Sequence, residues 1–404
     1  MVDVLERPRY WPKIDPWVGA PLIKVLAGQW RVGKSCLLKA LRQRLMARPE
    51  APPVLFVEME RAEWAHLNDA AALLRWVAEA APGGPAVVMI DEVQEIREFD
   101  VALRSLLAEG RFDLYVTGSN AELLSGEIAS RFAGRSVELP VFPLCYDEFL
   151  TFHDRPDDEE SLRLFLRFGG LPFLRHLPLE DEVAFEYLLG VAQTAIFKDV
   201  VTRHAIRNPD LLERLVLFLA DNVGSPVSAQ SIARFLKSQR TAASVPTLLS
   251  YVGYLEKAYL VRRVRRADLE GKRFFEVAEK HYFEDLGVRA ALLGSRERDV
   301  SKIVENVVLG RLLADGWSVT TGDVGGREID FVCRRGREKL YVQACYLLAD
   351  AATREREFRT MLAIDDNYPK VIVSLDPLLD DHRGVAHRHL RDFLRDGWGS
   401  SRCP

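Results

Sequence analysis

The sequence predicts an α/β fold, with a parallel sheet covered by helices in its N-terminal part and a second, smaller α/β part at its C-terminal end. Three observations predict it. Between Leu22 and Leu150, almost wholly apolar runs alternate with segments of helical periodicity, as strands buried on both faces do. The stretch "GQWRVGKS", Gly28 to Ser35, lies between the first such run and the first helical segment. From about Lys280 onward, a helical segment is followed by a separate series of strands.

The elements follow in order. "LIKVLAG" precedes the amphipathic "KSCLLKALRQRLMAR", and "PVLFVEME" precedes "NDAAALLRWVAEAAP". "AVVMIDEV" precedes "EFDVALRSLLAEG", and "LYVTGSN" precedes "AELLSGEIASRFAG". "RSVELPVF" is a last strand, closed by Pro140 and Pro143. From Tyr146 to Asn208 the pattern is helical, broken at "FGGLPFL". Three helices follow: "LLERLVLFLADNVG", then "SAQSIARFLKSQR" opening on a Ser cap, then "VPTLLSYVGYLEKAYL" opening on Pro. "VRRVRRADLEGKRFFEV" reads as a hairpin, and three helices with a basic hairpin make a winged-helix pattern. The C-terminal part starts helical with "RDVSKIVENVVLGRLLADG" and continues in "WSVTTGD", "REIDFVCRR", "KLYVQACY" and "KVIVSL". The expected divisions are 1–145, 146–208, 209–279 and 280–404.

Composition narrows the function classes. The 404 residues are 48% hydrophobic and 28% charged, enough for two or three globular domains. The net charge of −4 argues against a chain coated in nucleic acid but allows a local basic patch. Five scattered cysteines without metal-ligand spacing point to reduced thiols and a cytoplasmic location. The polar, Pro-broken N-terminal stretch is expected to be neither a signal nor a transit peptide, and no apolar run has membrane-spanning length.

"GQWRVGKS" is G-x-x-x-x-G-K-S in the setting that motif requires, after a strand and opening a helix. Its glycines let backbone N–H groups turn toward phosphate oxygens, and the helix N-terminus adds partial positive charge. The loop residues Gly28, Gln29, Trp30, Arg31, Val32, Gly33, Lys34, Ser35 and Cys36 are therefore the expected ATP-binding set. Lys34 would reach the β- and γ-phosphates, and the Ser35 hydroxyl would ligate Mg²⁺. The apolar strand "AVVMIDE" ends in Asp91 and Glu92, carboxylates placed to hold Mg²⁺ through water and to polarise the attacking water, respectively. Ser119 and Asn120 end the next strand, where a polar side chain can sense the γ-phosphate; Ser-Asn there is also ordinary turn chemistry.

With these motifs in hand, the chain resembles the AAA+ P-loop ATPases, and within them a bacterial and archaeal group with a C-terminal nuclease-like domain. "IKVLAGQWRVGKSCLL", "VVMIDEVQ", "LYVTGSN" and "ELPVFPLCYDEFL" carry the resemblance, which runs nearly the whole length. Trp30 stands where the group usually has Arg, and Cys36 where it usually has Thr. The resemblance implies Mg²⁺-dependent ATP hydrolysis in a homo-oligomeric ring, a hexamer being the favoured size. It also implies an arginine that completes a neighbour's site, for which Arg131 and Arg135 in "SRFAGR" are the candidates and Arg135 is favoured.

The winged-helix pattern offers Lys237 and Arg240 at a helix end, with Arg262, Arg263, Arg265, Arg266, Lys272 and Arg273 crowded in the hairpin. Opposed in the hairpin by Asp268 and Glu270 alone, they read as phosphate contacts to duplex or branched DNA; the plain alternative is a solvated or packing face. In the C-terminal part, Asp330 and an outer Glu305 suit a metal-dependent nuclease of the restriction-endonuclease type, but Gln343 and Cys345 stand where an acid and a lysine are needed. That part is expected to be nuclease-like and inactive. The expected work is ATP-driven remodelling of, or movement along, DNA. The rivals are a nucleotide-dependent switch acting on a protein partner, regulatory or defence-related, and an ATP-gated nuclease.

Overall fold

The computed structural model describes residues 5–121, 132, 134–241, 243–268, 279–294, 300–348 and 351–399. The chain forms two compact units: Met1–Val141 with Lys257–Tyr259, and Phe142–Glu256 with Leu260–Pro404.

The first unit is built on a five-stranded parallel sheet: β1 (Ile23–Ala27), β2 (Val54–Glu58), β3 (Ala86–Asp91), β4 (Phe112–Gly118) and β5 (Ser136–Pro140), in the order β2-β3-β4-β1-β5. Helices α1 (Lys34–Met46), α2 (Ala70–Ala80) and α3 (Phe99–Ala108) make the crossovers. Burial follows position in the sheet. The inner strands β1 and β3 are buried at every residue, whereas the edge strands β2 and β5 are mostly part-exposed. This is the α/β parallel sheet that the apolar runs predict. All five strands run the same way, so the residues that follow β1, β3 and β4 emerge along one edge.

The second unit begins with α4 (Tyr146–His153), α5 (Glu159–Phe168) and α6 (Asp181–Thr194), the last running into a π-helical stretch, Ala195–Thr202. Next come α7 (Pro209–Asp221), β6 (Pro226–Val227), α8 (Ala229–Ser238), α9 (Val245–Lys257), β7 (Val261–Val264), β8 (Arg266–Asp268) and β9 (Glu279–Phe283). β6, β9 and β7 form a three-stranded antiparallel sheet in that order. Beyond it lie α10 (Leu286–Leu293), α11 (Val300–Ala314), β10 (Ser318–Val324), β11 (Arg327–Arg335), β12 (Glu338–Ala344), α12 (Ala351–Leu362), β13 (Lys370–Ser374), β14 (Val385–His389) and α13 (Leu390–Asp396). β10, β11 and β12 form an antiparallel meander, and β13 and β14 add in parallel on the β12 side.

The expected hairpin from Val261 to Val277 takes another form. β7 pairs with β9, while β8 leaves to pair in parallel with β10 of the six-stranded sheet. Residues 269–278, where the hairpin's turn and second strand are expected, lie outside the described residues. β9 also spans the division expected at 279/280.

The "FGGLP" break has a packing cause. Asp285 caps α10 by accepting from Val288 N (2.9 Å) and also accepts from Gly170 N (2.7 Å). This draws the end of α5 onto the start of α10, and a Cβ at Gly287 would lie 1.9 Å from the Phe168 carbonyl oxygen. Gly287→Ala should therefore destabilise by about 1–3 kcal/mol or more, since backbone cannot yield as a side chain can. Gly253, inside α9 with open space around its Cβ position, is the control. Gly253→Ala should stabilise by up to about 1 kcal/mol. Denaturant melts of both variants check the pair, and equal effects would refute the packing account.

Candidate functional site

The loop between β1 and α1 is set by two glycines. A Cβ at Gly28 would lie 2.1 Å from the carbonyl oxygen of Val141, whose N–H donates to Ala27 O at 2.7 Å. Gly33 has φ +94°, which a side chain would strain at the residue that opens α1. Buried Lys34 donates to the carbonyls of Gly28 (2.9 Å) and Gln29 (3.0 Å), neutral acceptors beside the place a phosphate would take. Arg7, which the sequence does not flag, donates to Val32 O at 3.1 Å and braces the loop from outside. Gln29, Trp30 and Val32 are buried, while Arg31 and Cys36 are exposed.

The acidic side of the site turns on one hydroxyl. Thr117 Oγ1 donates to Asp91 Oδ1 at 2.6 Å and accepts from Glu92 N at 2.9 Å. The Ser35 hydroxyl also acts on Asp91, opposing the rise in that carboxyl's pKa, so the loop, β3 and β4 all bear on that carboxylate. Glu92 adopts left-handed backbone (φ +56°) and is held by Gln94 Nε2. Burial pushes both carboxyls above the ordinary range; the Thr117 and Ser35 hydroxyls oppose this at Asp91, and the Lys34 charge is the largest opposing influence at Glu92. Ser119 and Asn120 follow β4 and are fully buried. The Ser119 hydroxyl and both polar atoms of the Gln29 side chain have no hydrogen-bond partner among the described residues. Buried polar groups of this kind fit a site made to receive a polar ligand. The hard oxygens of Ser35 and Asp91 fit Mg²⁺, which is commonly held by few protein groups together with phosphate and water.

Comparison with known proteins agrees with this geometry. Residues 20–150 match the AAA domain family, and residues 159–299 match a domain of unknown function, DUF8612. An uncharacterized protein of Haemophilus influenzae is 30% identical over 381 residues, covering 92% of this chain and 93% of that one. The chain belongs to the same family as that protein, and its residues 20–150 carry the AAA domain. A second relative, an uncharacterized protein of Methanocaldococcus jannaschii, is 29% identical over 290 residues, 67% of this chain and 63% of that one. Among solved structures, the Walker-type ATPase Paby2304 of Pyrococcus abyssi aligns with a TM-score of 0.47 at 17% identity, over 72% of this chain and 96% of that one. In this AAA protein no described helix is long and apolar enough to cross a membrane.

The other expected site residues divide three ways. Arg135 is exposed just before β5, whereas Arg131 lies outside the described residues, as do Lys272 and Arg273. Lys237, Arg240 and Arg265 are exposed. The remaining arginines pair with acids that lie outside the expected hairpin. Arg262 makes a two-pronged pair with Glu284 (3.0 and 2.9 Å), Arg263 pairs with Glu256 and Glu279 (3.0 and 3.2 Å), and Arg266 pairs with Asp323. In the C-terminal sheet, Asp330 and Glu305 do come together, and Gln343 accepts from Asp330 N (3.3 Å). Their common partner is Lys280, which sequence reasoning missed because no motif surrounds it.

Two outcomes follow for the AAA site. Thr117→Val strands the Asp91 carboxylate and the Glu92 N–H, and should cost about 1–3 kcal/mol in a melt while lowering ATP turnover. The raised Glu92 pKa means that the folded state binds that proton more tightly than the unfolded chain does. Wild-type stability is then lost as pH rises through the raised pKa, a loss that Glu92→Gln lacks. Glu92→Gln should gain in melting temperature over wild type at alkaline pH, and the gain should shrink as pH falls toward the ordinary carboxylate range. A gain independent of pH would refute the assignment.

Proposed function

We propose that this chain is a Mg²⁺-dependent ATPase. The observation that carries the reading is the junction at Asp91, where the Ser35 and Thr117 hydroxyls converge while Lys34 places its charge against the same acidic pair. Lys34 would exchange its two loop carbonyls for β- and γ-phosphate oxygens. Glu92, held by the Thr117 and Gln94 contacts, would take the proton of the attacking water. Ser35 and Asp91 would hold Mg²⁺, which when bound neutralises charge on the phosphates. Ser119 and Asn120 would report the γ-phosphate.

Exposed Arg135 supports a second part of the reading, that it completes a neighbouring subunit's site in a ring, with a hexamer as the favoured size. Lys34→Ala should abolish ATP binding, and Glu92→Gln should bind ATP without hydrolysing it. Arg135→Ala should bind and turn over poorly, and mixing it with Lys34→Ala subunits should restore part of the activity. Turnover by Glu92→Gln at the wild-type rate, or no rescue in mixtures shown to co-assemble, would sink the respective assignments.

The order helix, strand, helix, helix and then three strands over α7 to β9, with β9 central between β6 and β7 in its sheet and β8 pairing elsewhere, supports the winged-helix reading of that region. One helix, a three-strand meander, a second helix and a parallel strand from α11 to β13 support the nuclease-like reading of the C-terminal sheet. Remodelling of DNA would then rest on Lys237, Arg240 and Arg265. The pairing of Arg262, Arg263 and Arg266 favours the other reading, a nucleotide-dependent switch that acts on a protein. ATP turnover with and without duplex or branched DNA separates the two. Under the DNA reading, stimulation falls steeply with salt, and replacing Lys237, Arg240 and Arg265 by Ala removes it. Unchanged turnover with every DNA form would leave the protein-directed switch.

A further inference from the structure

The Lys280 ammonium lies inside the C-terminal unit, ringed by carboxylates from two elements. It donates to Glu305 of α11 at 2.7 Å and to Asp330 of β11 at 3.4 Å, and forms an ion pair with Glu328 of β11. Each carboxylate has further support. Tyr282, two residues along β9, donates its hydroxyl to Glu305 at 2.5 Å, and Ala344 N donates to Asp330 Oδ2 at 3.0 Å. Gly224 lies against the other oxygen of Glu305, where a Cβ would come within 2.7 Å. Lys280 and Asp330 are buried, whereas Glu328 is part-exposed and opens the cluster to solvent.

We propose that Lys280 is a built-in substitute for a divalent cation, its ammonium holding Glu305, Glu328 and Asp330 in the place a metal ion would hold them. Three hard carboxylates from adjacent elements are a donor set for Mg²⁺, Mn²⁺ or Ca²⁺. An ammonium has three N–H donors, and three carboxylates surround this one, so no donor is left to position a water for hydrolysis. The ammonium also stands between the carboxylates that a metal would draw to 2–2.6 Å, so the two cations exclude each other. Removing this ammonium, while keeping a side chain of similar length, should leave an acidic cavity that takes a divalent or trivalent ion from solvent past Glu328. The inference concerns this cluster alone and stands whether or not the ATPase reading does.

Terbium(III) titration of the full chain without nucleotide tests it, with Tyr282 as a neighbouring ring that sensitises emission. Wild type, run in parallel, accounts for terbium bound elsewhere, including at Ser35 and Asp91. Lys280→Met should gain several-fold in sensitised emission, displaced by Mn²⁺ or Ca²⁺, while Lys280→Arg, which keeps a cation in place, should match wild type. The gain should disappear when Glu305→Gln and Asp330→Asn are added to Lys280→Met, and should dim with Tyr282→Phe. No gain in folded Lys280→Met overturns the proposal. Wild-type emission that is lost in Asp330→Asn also overturns it, because metal and ammonium would then share the site. Should Lys280→Met fail to fold alone, folding restored by Mn²⁺ supports the substitution, and failure to fold with Mn²⁺ present overturns it.

Discussion

A single buried hydroxyl, that of Thr117, joins the parts of the candidate site in the AAA domain. A parallel sheet with β1 between β4 and β5 brings the ends of β1, β3 and β4 to one edge, but this alone leaves their side chains free to turn. Thr117 fixes them by bonding the Asp91 carboxylate and the Glu92 backbone together. The left-handed backbone at Glu92 is tolerable because that N–H has a buried partner. Gly28 supplies the matching constraint on the other side, pressed so close to Val141 that no side chain fits. The loop is thus held between Val141, the residue that follows β5, and the strand that carries the acids.

What was legible in the sequence was what depends on neighbours along the chain. The apolar runs of β1, β3 and β4 announced strands buried on both faces, and "GQWRVGKS" and "AVVMIDE" announced the groups at their ends. Lys34, Ser35, Asp91 and Glu92 lie together at that edge as their motifs imply. Thr117 was hidden because a β-branched residue in an apolar strand reads as packing, and its role appears only once β3 and β4 are side by side. Arg7 was hidden for the same reason, since its partner Val32 is brought to it by folding.

The segment from Val261 to Asp268 shows how local charge counting fails. Read along the chain, Arg262, Arg263 and Arg266 meet only two acids. In the fold they meet Glu284, Glu256, Glu279 and Asp323, the last of these 57 residues from Arg266. The physical reason is burial. These guanidinium groups are each about seven-tenths covered, and a charge so desolvated needs a counter-charge. The more exposed Lys237, Arg240 and Arg265 keep the freedom to meet a partner outside the chain.

Lys34 and Lys280 make the same point from opposite sides. Both are buried ammonium groups, and both lie near paired acids. Lys34 donates to carbonyls, neutral acceptors that a phosphate can displace because its ionised oxygens attract the ammonium more strongly than a carbonyl dipole does. Lys280 donates to carboxylates, and three of them raise its pKa despite burial, so an incoming anion would have to displace acceptors as strong as itself. Opening the first lysine to a ligand leaves two carbonyls to be satisfied by small shifts of a loop. Opening the second would strand buried carboxylates on α11 and β11, a cost that grows with each one left unpaired. An exchangeable lysine and a fixed one are therefore told apart by the charge of their acceptors, which is a property of the fold and not of any motif.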